Sequence, residues 1–509
     1  MNLLAGLLRS PERAVISLIL AFTIFHLVLA ATLGLGVDES YGISVSHDLN
    51  LSYFDHPPLH YWIAHFFMPL LGDGRAARLP FIAIFMGTTW ALYLLTRQLF
   101  GAVAGVWAIL GLNLSAFFTS AGGWVLPDGP LMLALVAAAY TISRSLFPEG
   151  EAPSPWRTWI VTGIWIGIAA LSKYHVILFA AGLFIYLVSM PKRRQILLHP
   201  APWVGALVAL LIASPVIIWN AENHWISIAF QSGRASASGF PKLGHFFTNL
   251  GGQILWLFPW VFVPLVIASY EALRQGRNAD RSWYCLCLAL PAVAIFTIVP
   301  LWGDRGLPHW QMPGWLMLFP ILGNHLANEA ALRSRPRTWA ITSAALLFVL
   351  AFLVVGHAAT GYGRALFPSA FEKRDPTLES LEWSPLREEL KTRGLLERKG
   401  LFVISGSWIE VGKIDQALHG AMPIQVFGES KQYAFRYNRE VFLGRDALIV
   451  GRWNRMQGIE TGLAEYFSSI EELPAFEFGR SGMREVKVRL LYGRNLKKAL
   501  PLYYHRRVD

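Results

Sequence analysis

What most constrains this chain is the recurrence, as far as Gly356, of apolar runs of about 18 to 22 residues, each able to cross about 30 Å of hydrocarbon as a helix. With 54% of its 509 residues hydrophobic, the chain reads as a polytopic α-helical membrane protein. The first run, from Ala14 to Leu33, follows Arg9 and Arg13, and that basic flank favours a cytoplasmic N-terminus. Small residues at Ala30 and Ala31 also suit a cleaved signal peptide, but the run is long for one and further spans follow. Those spans are expected near 79–95, 102–120, 129–143, 159–172, 175–190, 202–219, 249–270, 282–301, 312–326 and 338–356. The total is about eleven, which places the C-terminus outside if the N-terminus is inside.

Charge placement supports that alternation. The formal net charge of +11 could suit nucleic acid, but much of the excess lies in short clusters beside apolar runs, where it reads as topology. Connections assigned to the cytoplasm hold Arg97, Arg144, Arg157, Lys192, Arg193, Arg194, Arg274, Arg277, Arg281, Arg333, Arg335 and Arg337. The opposite connections are longer but poorer in basic residues: Arg75, Arg78, Lys173, Arg234, Lys242 and Arg305. The two cysteines, Cys285 and Cys287, are two apart in an apolar run, so a helix points them in different directions and neither a disulfide framework nor a metal knuckle follows.

After Gly356 the composition turns charged and mixed for roughly 150 residues, enough for a soluble domain at 357–509. Leu401–Ser405, Ile424–Phe427 and Ala447–Val450 carry strand patterns, and Trp408–Leu418 is helix-like, so an α/β layer is expected. Gly406 and Gly412 lack the spacing of a dinucleotide fingerprint. The expected domain role is to cover the site or meet a partner. The expected fold is therefore a transmembrane domain at 1–356, with an outer loop at about 35–78 that carries the site, followed by a C-terminal soluble α/β domain.

That loop contains DESYGISVSHDLNLSYFDHPPLHYW at 38–62. It packs Asp38, Glu39, Asp48, Asp55, His47, His56 and His60 among aromatics and two prolines, the mixture of a shaped site. Under the expected topology Asp128, Lys173, Glu222, His224, Arg234, Lys242, His245, Asp304, Arg305 and His309 lie on the same side. Carboxylates converging with cations suit a reaction that deprotonates an acceptor while stabilising an anionic leaving group. Structural readings stand beside these: Asp38 as a helix-start acid, Asp55 and His56 as turn residues, Asp128 as an N-cap, and Lys173 snorkelling from a helix end.

DES at 38–40, YFDHPPLHYW at 53–62, RLP at 78–80, LPDGPL at 126–131 and LSKYH at 171–175 together resemble the lipid-linked glycosyltransferases of the C superfamily. The branch resembled holds the protein O-mannosyltransferases and the bacterial aminoarabinose and galacturonic acid transferases that modify lipid A or its core. The resemblance implies sugar transfer from a polyprenyl-phosphate carrier to a glycolipid, glycan or protein acceptor at the periplasmic face of the bacterial inner membrane. It makes Asp38 the acceptor-side carboxylate, with Glu39 beside it, and Asp128 the second catalytic carboxylate. Lys173, His56, Arg78 and Tyr174 become the donor-phosphate set. His56 stands where relatives carry lysine, so Lys173 is the better cation. Asp55 matches a position that helps hold a divalent metal in some relatives, and metal dependence stays open. The rival classes are a transporter or flippase, which would place ionisable or unwound elements near mid-membrane on several spans, and a scaffold indifferent to Asp38→Asn.

Overall fold

We describe residues 10–233, 240–303, 306–371 and 375–501 from a computed structural model. Arg9, Arg234, Asp304 and Arg305 lie outside the described residues. Contacts divide the chain into two compact units: Met1–Val28, Leu51–His60 and Arg78–Leu350 form the first, and Leu29–Asn50, Tyr61–Ala77 and Ala351–Asp509 the second. The segment after the first apolar helix is thus split, with 51–60 in the first unit and its flanks in the second.

Helices α1 (Pro11–Thr32), α2 (Val37–Ser46) and α3 (Leu59–Leu71) open the chain. Then follow α4 (Leu79–Phe100), α5 (Ala102–Asn113), α6 (Asp128–Leu146), α7 (Pro155–Ser172) and α8 (Val176–Ser189). Next come α9 (Pro200–Ile212), α10 (Ser214–Glu222), α11 (Leu243–Leu257), α12 (Pro259–Gln275), α13 (Asp280–Ile298), α14 (Phe319–Leu332) and α15 (Arg335–Thr360).

Five helical stretches among the described residues are long and apolar enough to cross a membrane: Pro11–Thr32, Arg75–Phe100, Asp128–Leu146, Asp280–Leu301 and Arg335–Thr360. Two bent pairs raise this to seven if each counts as one span, with shorter apolar helices at Ala102–Asn113 and Val176–Ser189. This count does not confirm the expected total of about eleven, and two of the expected runs are broken by bends. The run at 249–270 bends by 104° where Phe258 takes φ +61° ahead of Pro259. The run at 202–219 bends by 51° beside Pro215, because proline cannot continue the hydrogen-bond ladder of the preceding turn.

Within the first unit α6 is the enclosed helix, with 72% of its apolar window buried against 17% for α15. Ile16, Leu20, Ile24 and Val28 of α1 and Phe348, Val349, Phe352 and Leu353 of α15 remain exposed. That surface would drive aggregation in water but is satisfied by hydrocarbon, and helices pair their own backbone groups as lipid requires. Helices α7 and α9 meet through glycine: a Cβ at Gly163 would strike the Gly205 carbonyl, and one at Gly205 the Trp159 carbonyl. Small residues here let two backbones approach.

The second unit contains a five-stranded sheet ordered β2-β1-β3-β5-β4, made of β1 (Phe402–Ser405), β2 (Ile424–Val426), β3 (Ala447–Arg452), β4 (Phe467–Phe478) and β5 (Val486–Leu496). It also has α16 (Ser384–Thr392) and α17 (Trp408–Leu418). β1 runs parallel to β2 and β3, with α17 crossing between β1 and β2, and β5 lies antiparallel to β3 and β4. The parallel half matches the expected strands and helix. The antiparallel hairpin was not foreseen, because β4 (FSSIEELPAFEF) contains a proline and five acidic or polar positions that suit only an edge strand.

A buried ionic knot ties the hairpin to residues 357–377. Arg480 donates to Asp375 at 2.7 Å, Glu485 at 2.6 Å, Thr377 Oγ1 at 2.7 Å and the His357 carbonyl at 3.0 Å. Burial alone would raise the Asp375 and Glu485 carboxyls, but hydrogen bonds from Thr377 to Asp375 and from Arg480 to both hold each below its ordinary range. Their contribution is full above about pH 4.5 and is lost as pH falls through the lowered folded values. Arg480→Met should cost about 3–5 kcal/mol at neutral pH, because two buried carboxylates lose their cation. Thermal unfolding followed from pH 7 to pH 4 should then show the variant recovering stability on acidification while the parent protein loses it.

Candidate active site

The site of the first unit is built where α6 starts and α7 ends. Lys173 caps α7 in extended backbone (φ −159°, ψ 142°), which turns its side chain away from the helix axis. Its Nζ donates to both Asp128 carboxylate oxygens, at 2.9 and 3.1 Å. Both residues are buried, 4% and 5% exposed. Those figures decide two readings left open by the sequence. Lys173 does not snorkel, and Asp128, the first residue of α6 after the cap residue Pro127, pairs with an ammonium 45 residues away.

Histidines surround the pair. His175 faces Lys173, Asp128, His309 and His56, and His60 faces His56, Asp55, Asp128 and Lys173. The His56 and His60 rings meet edge to face at 5.8 Å, His175 packs on Phe296 at 4.5 Å, and His309 stacks with Phe117 at 6.3 Å. Complete burial holds the His60 imidazole well below its ordinary range; His56 and Lys173 push the same way, and Asp55 and Asp128 oppose them. At neutral pH His60 is therefore a neutral hydrogen-bonding group.

The loop that supplies Asp55 and His56 is pinned through its backbone. Ser227 Oγ donates to the Tyr53 carbonyl at 3.1 Å, Gln231 Nε2 to the Asp55 carbonyl at 2.6 Å, and the Phe54 and Phe230 rings lie 4.8 Å apart. Tyr174 belongs to the same neighbourhood: Asn220, Ser227, Asp55 and Ser52 face its hydroxyl. Arg78 is buried at the start of α4, 2% exposed. Asp55 is buried as well, but no three His, Cys, Asp or Glu side chains among the described residues converge as a metal needs. The residues present thus do not fit a metal site built on Asp55.

Asp38 and Glu39 belong to the second unit, in the first turn of α2. Asp38 is exposed, whereas Glu39 is buried and accepts a hydrogen bond from the Gly36 amide at 2.9 Å, closing the leading turn. Of the eight residues singled out from the sequence, the structure thus gathers Asp55, His56, Asp128, Lys173 and Tyr174 in one neighbourhood. His60, His175 and His309 were not among them. The sequence marked His60 and His309 only as polar groups of the outer connections and His175 only within LSKYH, without assigning any of the three a role.

The Lys173–Asp128 pair is open to a double-mutant test. Lys173→Ala or Asp128→Ala alone should destabilise the protein by about 3–5 kcal/mol, because either leaves a buried uncompensated charge. Lys173→Met combined with Asp128→Leu should recover most of that stability while activity stays lost. Thermal unfolding in detergent, read beside turnover, checks both.

Comparison with known proteins bears on the fold and on the segment that carries Asp128 and Lys173. Residues 55–219 match the family described as dolichyl-phosphate-mannose-protein mannosyltransferase. The lipid A galacturonosyltransferase RgtD of Rhizobium johnstonii is 24% identical over 57% of this chain and 60% of its own. The undecaprenyl phosphate-α-4-amino-4-deoxy-L-arabinose arabinosyl transferase 1 of Pseudomonas fluorescens is 25% identical over 62% and 60%. The chain thus spans about 60% of the length of these curated relatives. In fold it is similar to ArnT from Cupriavidus metallidurans, solved with undecaprenyl phosphate, with a TM-score of 0.63 at 17% identity over 93% of this chain and 97% of that one. The oligosaccharyltransferase AglB of Archaeoglobus fulgidus follows at 0.51 and 12%, over 93% and 74%. In its matched segment the chain is thus similar to the mannosyltransferase family, in sequence to lipid A and aminoarabinose transferases, and in fold to ArnT.

Proposed function

We propose that this protein is an integral-membrane glycosyltransferase that moves a sugar from a polyprenyl-phosphate carrier to an acceptor on the periplasmic side of the inner membrane. The observation that carries the reading is the buried Lys173–Asp128 pair at the ends of two apolar helices, ringed by histidines. A lysine held there suits a phosphate whose lipid tail stays in hydrocarbon. The curated relatives, named for lipid A and undecaprenyl phosphate, support the same donor class and suggest a glycolipid acceptor.

In this reading Asp38 accepts the proton of the acceptor hydroxyl or amine as that atom attacks the anomeric carbon. The bond from that carbon to the carrier phosphate breaks, and the phosphate leaves with the electron pair. Lys173, Arg78, His56 and Tyr174 stabilise the departing anion. Asp128 sets the place and charge of Lys173, and Glu39 orders the turn that carries Asp38. The N-terminus is cytoplasmic, and the soluble unit is periplasmic. No step requires Asp55 to hold a metal.

The test is sugar transfer in proteoliposomes supplied with polyprenyl-phosphate sugar. Asp38→Asn should cut turnover by roughly 100- to 10,000-fold, the range supplied by a general base, with expression and insertion intact. Retained turnover would remove Asp38 from the reaction. In cells lacking the protein, mass spectrometry should find the lipid-linked sugar accumulating and the acceptor unmodified.

A further inference from the structure

The groups that hold α2 come from α17, more than 360 residues later in the chain. Gly412 lies directly against α2: a Cβ there would stand 2.5 Å from the Tyr41 nitrogen and 2.6 Å from the Ser40 carbonyl carbon. These are main-chain atoms of a helix and cannot step aside. The next residue, Lys413, is 3% exposed. Its Nζ donates to the Leu35 carbonyl, just ahead of the α2 cap at Gly36, and to the Leu381 carbonyl at 3.1 Å.

Further contacts fix the other end of the helix. Ser44 Oγ donates to Asp415, Tyr433 donates to Ser44 at 2.5 Å, and Arg436 bridges Asp415 at 3.0 Å and Asp48 at 2.8 Å. Tyr41 packs edge to face on Trp408 at 5.4 Å, with Lys431 over the Trp408 ring. All these residues belong to the second unit. Asp38 is the second residue after the cap, in the turn that Lys413 and Gly412 locate from two directions.

We propose that Gly412 and Lys413 are positioning residues for Asp38, so that the C-terminal α/β layer sets the alignment of the reactive carboxylate. The inference rests on the reading of Asp38 as the acceptor-side base. Its physical content is steric: an added methyl at residue 412 must push α2 away by a distance of order 1 Å, and misplacement on that scale costs about 100-fold in rate.

The experiment measures transfer by the full-length protein in proteoliposomes, with polyprenyl-phosphate sugar as donor, beside thermal unfolding. Gly412→Ala should lower kcat by about 10- to 100-fold with the KM for donor unchanged, and should move the acidic limb of the kcat–pH profile. Lys413→Met should act the same way, and Lys413→Arg, which keeps a donor toward both carbonyls, should restore part of the loss. Arg494→Ala, which removes an exposed pair with Glu471, should leave kcat unchanged. If Gly412→Ala does not fold, the two Lys413 variants decide. Folded Gly412→Ala or Lys413→Met with parental kcat and pH profile overturns the proposal while inactivity of Asp38→Asn preserves the base assignment. Turnover by Asp38→Asn overturns both.

Discussion

An ammonium and a carboxylate leave water together only when each is the other's main compensation, and Lys173 with Asp128 meets that condition at the ends of α7 and α6. Desolvation of two ions costs several kcal/mol each, so geometry must return it, here through two hydrogen bonds from one Nζ. The pair joins the end of one apolar helix to the start of another, and it fixes the turn at 173–175 against which Tyr174, His175 and the loop at 51–60 are arranged. It also bears on any anion that comes here. A phosphate would share a lysine already half neutralised, so the surrounding polar groups matter as much as the cation.

That surround is mostly imidazole. Burial above all holds the His60 imidazole below its ordinary range, with His56 and Lys173 pushing the same way. A neutral imidazole such as that of His60 donates and accepts hydrogen bonds without adding charge. Arg78 is buried at the start of α4.

The second unit shows a different economy of interactions. Two of its ionic centres, Arg480 with Asp375 and Glu485, and Arg436 with Asp415 and Asp48, each join distant parts of the chain. Arginine suits both because its planar fork serves several carboxylate and carbonyl oxygens at once. One centre closes the junction after α15 onto the hairpin, and the other ends α2. The helix carrying Asp38 is thus held by residues of the C-terminal α/β layer and the segment that follows α17.

The membrane character and the parallel half of the α/β layer were legible from the sequence because both rest on local properties. A long apolar run spans hydrocarbon wherever it lies, and FVIS, IQV and ALIV are buried strands in almost any context. Asp128 and Lys173 were also visible, as charges at the ends of such runs, but what they do was not: capping, snorkelling and pairing look alike until two residues 45 apart are brought within 3 Å. Local pattern hid the breaks at Phe258 and Ala213, since hydropathy does not report direction. It hid the edge hairpin too, whose strands are stable only when paired. The split of the loop at 38–62 between two units, and the seat of α2 on Gly412 and Lys413, were decided by tertiary structure alone, because close backbone approach depends on a partner the local sequence does not contain.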